Sequence, residues 1–377
     1  MTRIYLVRHA EAEGNLYRRA HGHYNSLLTK NGLAQAERLG DWFSRRPVDA
    51  VYASDLHRAV RTAEAIASVC RKTVRTDPAL REMALGVWED RTWGSIVRER
   101  SNYMQWFYGT AEDWALCEAE SFWAAADRFA EGLKKIAVLH EGTHIAVVAH
   151  GAVLRAFLTK TAGGSLIPHL DNASVSLVEW ENGTFRASFI GENRYLGELS
   201  THAKQSWWRK DSVFAKDEEL WFSPAQLPDN LSEIMEYSRR TWAAVYGTEE
   251  GFRDEMTEKA LFDSANTNPR YLQFAMEGSR RIGLLQLCDA GRLSVLDGHI
   301  SLFYLEPDKR GLGLGAQLLG EAISVARNCG KTGLSLRVYH KNTSAAAFYR
   351  KMGFSMFGSE NGLFGMLIQM RLPIAVP

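Results

Sequence analysis

Hydrophobic and polar positions switch between two periods along the first 200 residues. Ile4-Tyr5-Leu6-Val7 is an unbroken apolar run of strand length, and Leu33, Ala36, Leu39 and Phe43 recur at helical spacing within 32–46. Val48–Ala53 predicts a second strand, and Ser54-Asp55 a helix start leading to a helix that ends near Val69. Thr73–Thr76 predicts a short third strand. A helix over 121–140 runs into the apolar strand Thr143–Ala149 and then a helix over 152–162. Ser174–Trp180 and Thr184–Ile190 flank Glu181-Asn182-Gly183 as an antiparallel hairpin. Strands alternating with helices predict an α/β layered architecture.

The pattern changes after residue 200. Lys204–Asp211 and Lys216–Glu219 are charged, and Pro224 and Pro228 follow, which predicts a linker at about 200–220 and domains at 1–205 and 206–377. Helices are expected near 230–246 and 249–264, then strands at 271–277, 281–288 and 292–305. A glycine-rich turn, a helix (315–329), a strand (333–339), a helix (343–352) and a terminal hairpin complete an α+β pattern. The length of 377 residues agrees with two domain cores.

Charge removes several function classes. The net charge is +1, with 24 basic and 24 acidic residues in the first 200 positions and 21 and 20 in the remainder, so there is no basic field for nucleic acid. Cys70, Cys117, Cys288 and Cys329 are far apart, which argues against a zinc site or a disulfide framework and fits a reducing, cytoplasmic setting. The opening residues lead straight into a strand, so no signal segment is expected, and no apolar run approaches the roughly 20 residues needed to cross a bilayer.

The chemistry begins where the first strand ends. Arg8-His9 stands at its C-terminal end, where open α/β sheets bind ligands. Arginine clamps phosphoryl oxygens in a fork, and histidine can attack phosphorus. Asn15 follows, then Arg58 in the first turns of a helix, Glu82 in Leu80-Arg81-Glu82, and His150-Gly151 after another strand. Each ionic group falls at or near a predicted strand end.

These residues, with Glu11, Leu27-Leu28-Thr29, Gly32, Gln35-Ala36, Ser54-Asp55-Leu56 and Trp88-Glu89, resemble the histidine phosphatase (phosphoglycerate mutase-like) superfamily across residues 1–200. The sequence departs from the family pattern at Ala10 (usually Gly), Asn25 (usually Asp), Leu27 (usually Pro) and Ala119 (usually Gly, before Glu120-Ser121). The resemblance implies a three-layer α/β/α sandwich and a metal-independent reaction. His9 would be the nucleophile. Arg8, Arg58 and His150 would surround the equatorial oxygens, Asn15 would help bind substrate, and Glu82 would protonate the leaving oxygen. Glu11, Glu89 and Glu120 are rival acids. His21, His23 and His57 read as rim or surface residues, and His140, His144 and His169 as loop residues. The aromatic stretch Trp88, Trp93, Tyr103, Trp106, Phe107, Tyr108 and Trp114 reads equally well as a lid or as packing; it does not resemble a long mutase insertion and the domain is short, which favours hydrolysis over mutase activity.

A second constellation lies in the C-terminal half. Arg310-Gly311-Leu312-Gly313-Leu314-Gly315-Ala316 opens a helix after a strand, a geometry that offers N–H groups and a positive dipole end to a pyrophosphate. Gly311-x-Gly313-x-x-Ala316 also fits a dinucleotide fingerprint, but Ser335–Tyr339 ends without the acidic residue that fingerprint needs. Asn342 precedes Ala345 and Phe348-Tyr349-Arg350-Lys351-Met352-Gly353-Phe354. Together these resemble the GNAT N-acetyltransferase family over about 215–377. The resemblance implies acetyl-CoA held by residues 310–316, Asn342 near the pantetheine arm or adjacent backbone, and Tyr349 as donor to the CoA thiolate. Glu306 and His299 are candidate bases for the acceptor amine. The expected protein is a fusion acting on a small phosphate ester and on an amine. Mutase-like phosphotransfer, or an acetyl-CoA-sensing domain regulating a phosphatase, are the alternatives.

Overall fold

A computed structural model describes residues 1–99, 117–204, 219–289 and 296–376; Tyr103, Trp106, Phe107, Tyr108 and Trp114 lie outside the described residues. The chain divides into two compact units. One comprises Met1–Arg91 and Glu99–Ala215, the other Thr92–Arg98 and Lys216–Ala375.

In the first unit, β1 (Thr2–Arg8), β2 (Ala50–Ala53), β3 (Val74–Thr76), β4 (His144–Ala149), β5 (Val175–Glu181) and β6 (Thr184–Glu192) form one sheet in the order β3-β2-β4-β1-β5-β6. β1 to β4 pair in parallel, and β5 and β6 add an antiparallel edge. β1 and β4 are buried on both faces, as their unbroken apolar runs require. Helices Lys30–Phe43 and His57–Cys70 pack Leu39, Phe43, Ala63 and Ile66 against Tyr5, Val7, Val51 and Val148 on one face. On the other face, Phe129 of helix Phe122–Leu139 meets Phe157 of helix Gly151–Thr161, which meets Phe185 of β6, at ring separations of 5.3 Å in both cases. The result is the three-layer α/β/α sandwich.

Two local expectations are corrected. Leu33 is 46% exposed; the buried stripe of its helix is Gly32, Gln35, Ala36, Leu39, Gly40 and Phe43. Ser54-Asp55 does not cap a helix. The helix begins at His57 behind Leu56, and Asp55 instead takes a two-pronged ion pair from Arg81 at 2.7 and 2.5 Å.

The second unit is built on a mixed sheet. β7 (Trp221–Pro224), β8 (Leu272–Glu277), β9 (Arg280–Asp289), β10 (Asp297–Leu305), β11 (Gly333–Tyr339), β12 (Ser355–Gly362) and β13 (Gly365–Pro373) lie in the order β12-β13-β11-β10-β9-β8-β7. Helices Leu231–Tyr246 and Asp254–Thr267 bury Ile234, Tyr237 and Leu261 against Phe274, Leu284, Leu302 and Tyr304. Gly298 of β10 faces Ala326, placing helix Leu314–Asn328 over the opposite face. β10 and β11 pair in parallel only over Asp297–Ile300, although the strands run on to Leu305 and Tyr339. The sheet therefore divides between them just after a β-bulge at Ile300/Leu302.

Candidate active sites

The register of β1 on β4 builds the first site. Arg8 is the partner of Ala149, so the next residues, His9 and His150, leave neighbouring strands together. Their rings lie 5.1 Å apart, and both are buried. His9 Nδ1 is 2.7 Å from the Ala10 carbonyl. A carbonyl only accepts, so Nδ1 carries the proton and Nε2 keeps the lone pair. Burial first, then Arg58 and Arg8, hold the His9 pKa well below 6.5, so the imidazole is neutral. Neutral Nε2 is the nucleophilic form.

Arg8 is 9% exposed. Its Nη1 donates to the Leu170 carbonyl at 2.5 Å, while Nε is buried with no hydrogen-bond partner among the described residues. Arg58 is 2% exposed and donates to the carbonyls of Tyr24 (2.9 Å) and Gly22 (2.7 Å). Burial lowers its pKa to about 10, which still leaves it charged. It sits in the first turn of its helix, where a cation opposes the helix dipole and a bound anion would offset both. His150 is fully buried, and neither ring nitrogen has a partner among the described residues. Buried polar atoms are rarely left unpaired. The orphaned atoms of Arg8 and His150 beside His9 mark a place for a polar ligand, and two guanidiniums select an anion.

The remaining predicted residues fall at varying distance from this centre. Glu82 accepts the N–H groups of Ala152 (3.1 Å), Val153 (2.8 Å) and Met83 (3.0 Å). Asn15 Oδ1 accepts from Ala12 N–H at 3.0 Å, so its amide oxygen serves a local turn. The rival acids are engaged elsewhere. Glu11 takes Thr29, Asn31 and Thr201; Glu89 takes the His23 and Leu85 N–H groups; Glu120 takes Arg128 at 2.8 and 2.7 Å. His23 Nε2 binds the Glu82 carbonyl at 2.7 Å, and His21 Nδ1 meets Ser26 at 2.9 Å. His57 is half-buried, and His140 meets the Tyr52 hydroxyl at 2.9 Å. His169 is exposed, beside Arg155 at 3.3 Å. His144 is not a loop residue: it opens β4 and stacks on Tyr5. Trp88 is 2% exposed.

Sequence reasoning missed Asp171 and Asn172. Asn172 is 1% exposed, and its Nδ2 donates to the His9 carbonyl and to Asn15 Oδ1, both at 3.1 Å. Asp171 collects Ser200 Oγ (2.5 Å), Asn193 Nδ2 (3.1 Å) and two backbone N–H groups. The one signal in sequence is an adjacent Asp-Asn pair just ahead of a strand.

In the second unit, Gly311 (φ 77°) and Gly313 (φ 87°) take the left-handed conformation that favours glycine, and Gly313 caps helix Leu314–Asn328. A Cβ on either would meet no protein atom within 4 Å, so open space lies above the turn. Gly315 does face protein, with Phe348 ring atoms 3.2 Å from where a Cβ would lie. Arg310 Nε donates to the Leu305 carbonyl at 2.9 Å, and Leu312 is 57% exposed. The Ala316 N–H, expected in the cradle, is bonded to Gly313 O at 3.1 Å; a pyrophosphate would first meet the N–H groups of 311–315. Asn342 Oδ1 caps its helix through Ala345 N–H at 3.1 Å, which is the adjacent-backbone role.

Tyr349 is 8% exposed and packed between Phe303, Phe348 and Phe354, and burial raises its pKa, so the phenol keeps its proton. Glu306 is tied to the Tyr304 hydroxyl (3.0 Å) and Arg240 (3.5 Å). His299 is 8% exposed and faces Ser335 Oγ at 3.0 Å; burial, with Arg337 second, lowers its pKa to about 4.

Two buried imidazoles beyond the C-terminal ends of the central strands β1 and β4, with two buried arginines, form an anion-binding site in the first unit, and a divided sheet beside a glycine-opened helix marks the second. Residues 4–193 match the histidine phosphatase superfamily (branch 1), and residues 231–354 match the acetyltransferase (GNAT) family. The chain belongs to the histidine phosphatase superfamily and carries a fused GNAT domain, both enzyme families.

Its relatives include proteins described as probable phosphoglycerate mutase GpmB. That of Serratia proteamaculans (strain 568) is 33% identical over 192 residues, spanning 50% of this chain and 89% of the relative. That of Proteus mirabilis (strain HI4320) is 32% identical over the same shares. The structure of Bacillus stearothermophilus YhfR aligns with TM-score 0.49 and 30% identity, covering 52% of this chain and 100% of that one. Acetyl-CoA is the usual acyl donor of the GNAT family, and both families imply small-molecule substrates. Among the described residues no helix is long and apolar enough to cross a membrane, and no group of three or more His, Cys, Asp or Glu is placed to hold a metal ion.

Proposed function

We propose that the first unit hydrolyses phosphate monoesters through a phosphohistidine on His9. The observation that carries this reading is the His9 tautomer: Nδ1 is committed to the Ala10 carbonyl, so Nε2 is the basic nitrogen, beside two arginines and His150. Nε2 attacks phosphorus, the ester P–O bond breaks, and Glu82 gives its proton to the leaving oxygen. Arg8, Arg58 and His150 stabilise charge on the transferred phosphoryl oxygens. Water then attacks phosphorus, the P–N bond breaks, and inorganic phosphate leaves. Asn172 holds the His9 carbonyl and Asn15, so Asn15 acts on substrate through the turn it supports.

The second unit is read as an N-acetyltransferase. Bound acetyl-CoA would supply an activated thioester carbonyl. The N–H groups of 311–315 suit its pyrophosphate, the division between β10 and β11 offers a path for its arm, and the Tyr349 phenol keeps a proton for the departing sulfur. A neutral acceptor amine then attacks the carbonyl and loses its proton.

The test of the first reading is phosphate release from a panel of phosphorylated sugars, amino sugars and amino acids in EDTA, with wild type and His9→Ala. Release that survives the chelator and falls at least about a thousandfold in the variant supports it; unchanged release in His9→Ala overturns it. Phosphoglycerate mutase-like transfer is a second reading, favoured by the description of the relatives. Dependence on a bisphosphate primer and a long-lived phosphohistidine would select it.

A further inference from the structure

The proton donor of the first site stands on a stretch that no regular element holds. Glu82 lies between two short helical turns, Pro78–Leu80 and Gly86–Trp88, and residues 81–85 form neither helix nor strand. Its carboxyl end is oriented by backbone. Oε1 accepts Val153 N–H at 2.8 Å and Met83 N–H at 3.0 Å, which fills both of its lone pairs. Oε2 accepts Ala152 N–H at 3.1 Å and, among the described residues, no second donor, so it keeps a lone pair for the proton. The acid is also close enough to favour the charged forms of Arg58 and Arg8. A displacement near 1 Å at such a group can cost about a hundredfold in rate, so its backbone needs a support of its own.

Arg128 supplies one. A guanidinium carries five N–H groups in a planar fork, and Arg128 uses all five here. Nη1 donates to the carbonyls of Ala79 (2.8 Å) and Arg81 (3.1 Å), and Nη2 to the carbonyl of Glu82 itself (3.0 Å). Nε and Nη2 also hold the two oxygens of Glu120, at 2.8 and 2.7 Å. Arg128 comes from helix Phe122–Leu139, and one turn on, Gly132 lets that helix close on the same stretch: a Cβ on Gly132 would lie 2.6 Å from Ala79 Cβ. Glu120 keeps the guanidinium in place, and its own N–H donates to the Ala84 carbonyl at 2.9 Å. Glu120 thus supports the acid rather than replacing it.

We propose that Arg128 is a positioning residue for Glu82: its fork, held by Glu120, fixes the backbone of the proton donor so that Oε2 meets the leaving oxygen. The assignment rests on reading the first unit as a phosphohistidine phosphatase. Lysine in its place keeps the charge beside Glu120 but offers its N–H groups from a single point, which cannot span three carbonyls. A support that served stability alone would slow all substrates together. A support for the acid slows poor leaving groups most, because a good leaving group departs without a proton.

The experiment uses the full chain as wild type, Arg128→Lys, Glu82→Gln and the double variant, with folding checked by thermal melting. kcat/KM is measured on p-nitrophenyl phosphate and on glycerol 2-phosphate. For Arg128→Lys, the loss on glycerol 2-phosphate should exceed the loss on p-nitrophenyl phosphate by about tenfold or more. On glycerol 2-phosphate the double variant should be within about twofold of Glu82→Gln, since there is no acid left to position. Equal losses on the two esters, or losses that multiply in the double variant, overturn the proposal. Should Arg128→Lys fail to fold, Glu120→Gln loosens the fork from its other side; it should show the same selectivity on a smaller scale, and equal losses overturn the proposal there too. Hydrogen exchange by mass spectrometry on the peptide spanning 79–85 gives a reading independent of turnover. Faster exchange in the variant supports the assignment, and exchange equal to wild type overturns it. If wild type cleaves neither ester, the phosphatase reading fails for them, and the exchange result alone decides whether Arg128 fixes the Glu82 stretch.

Discussion

Gly151 and Arg8 are in direct steric register: a Cβ on Gly151 would lie 2.9 Å from Arg8 Nε and 3.2 Å from Cζ. Glycine after His150 thus lets a guanidinium lie flat against the start of a helix. Arg8 is buried and anchored to Leu170 O, so it cannot swing away freely. Gly151→Ala should therefore still fold, melting somewhat lower than wild type, while displacing the phosphoryl clamp. A displacement near 1 Å can cost about a hundredfold in rate. The check is kcat/KM on p-nitrophenyl phosphate beside a melting curve; unchanged activity would show that Arg8 does not hold the phosphoryl group.

Glu11 stands two residues from His9 and reads in sequence as a rival acid, yet its bonds are those of a structural hub. It is 3% exposed, and its carboxylate takes Thr29 Oγ1 (2.6 Å), Thr201 Oγ1 (3.0 Å) and Asn31 Nδ2 (3.3 Å). Removing it strands these donors, two of them hydroxyls in buried positions. Glu11→Ala should cost about 3 kcal/mol of stability. Urea unfolding measures this directly, and a cost under about 1 kcal/mol would mean the network contributes little.

Glu11 also shows where sequence stops. β1 and β4 were legible because strands buried on both faces must be apolar throughout, and the strand-end positions of Arg8, His9 and His150 follow from that. Glu11 was ambiguous because its partner Thr201 is 190 residues away, and no local pattern encodes such a contact. Asn172 was invisible because it works through the His9 carbonyl from a segment without periodicity. β7 was missed because four residues between a charged run and Pro224 carry no alternation to detect. Leu33 misled because its helix buries Gly32 and Gln35 in its place: a Cβ on Gly32 would lie 2.0 Å from Glu11 O, and Gln35 Oε1 accepts the Glu11 N–H at 2.7 Å.

Tyr349 separates binding from turnover in the second unit. Its ring is held by Phe303, Phe348 and Phe354, and the described residues give its hydroxyl no hydrogen-bond partner. Tyr349→Phe keeps the ring packing and removes only the hydroxyl, and with it the proton. Acetyl-CoA affinity, measured by calorimetry, should stay within about twofold of wild type, because no bond to the protein is lost. CoA release in the presence of an accepted amine should fall by about a hundredfold or more. A large loss of acetyl-CoA affinity would recast the residue as part of the binding surface.

The buried imidazoles also set a pH dependence whose sign can be worked out. His9 and His150 have pKa values held well below 6.5, in each case by burial first and then by Arg58. In the unfolded chain both return to about 6.5. Above that pH neither state binds these protons, and their contribution to stability is fully present. As pH falls below it, the unfolded chain takes up protons that the folded chain refuses, so stability drops by up to about 1.4 kcal/mol per pH unit for each imidazole. Carboxylates titrate in the same acid range, so the slope of wild type alone does not isolate the effect; a difference between proteins does. Urea midpoints from pH 8 to 5 should fall more steeply for wild type than for His150→Gln, by about one proton's worth, whatever the offset between the two curves. Orthovanadate should flatten the wild-type slope, because an anion beside His150 favours its protonated form. Parallel curves for the two proteins would mean that His150 already carries its proton in the folded chain, and would remove the basis for treating it as a neutral neighbour of the nucleophile.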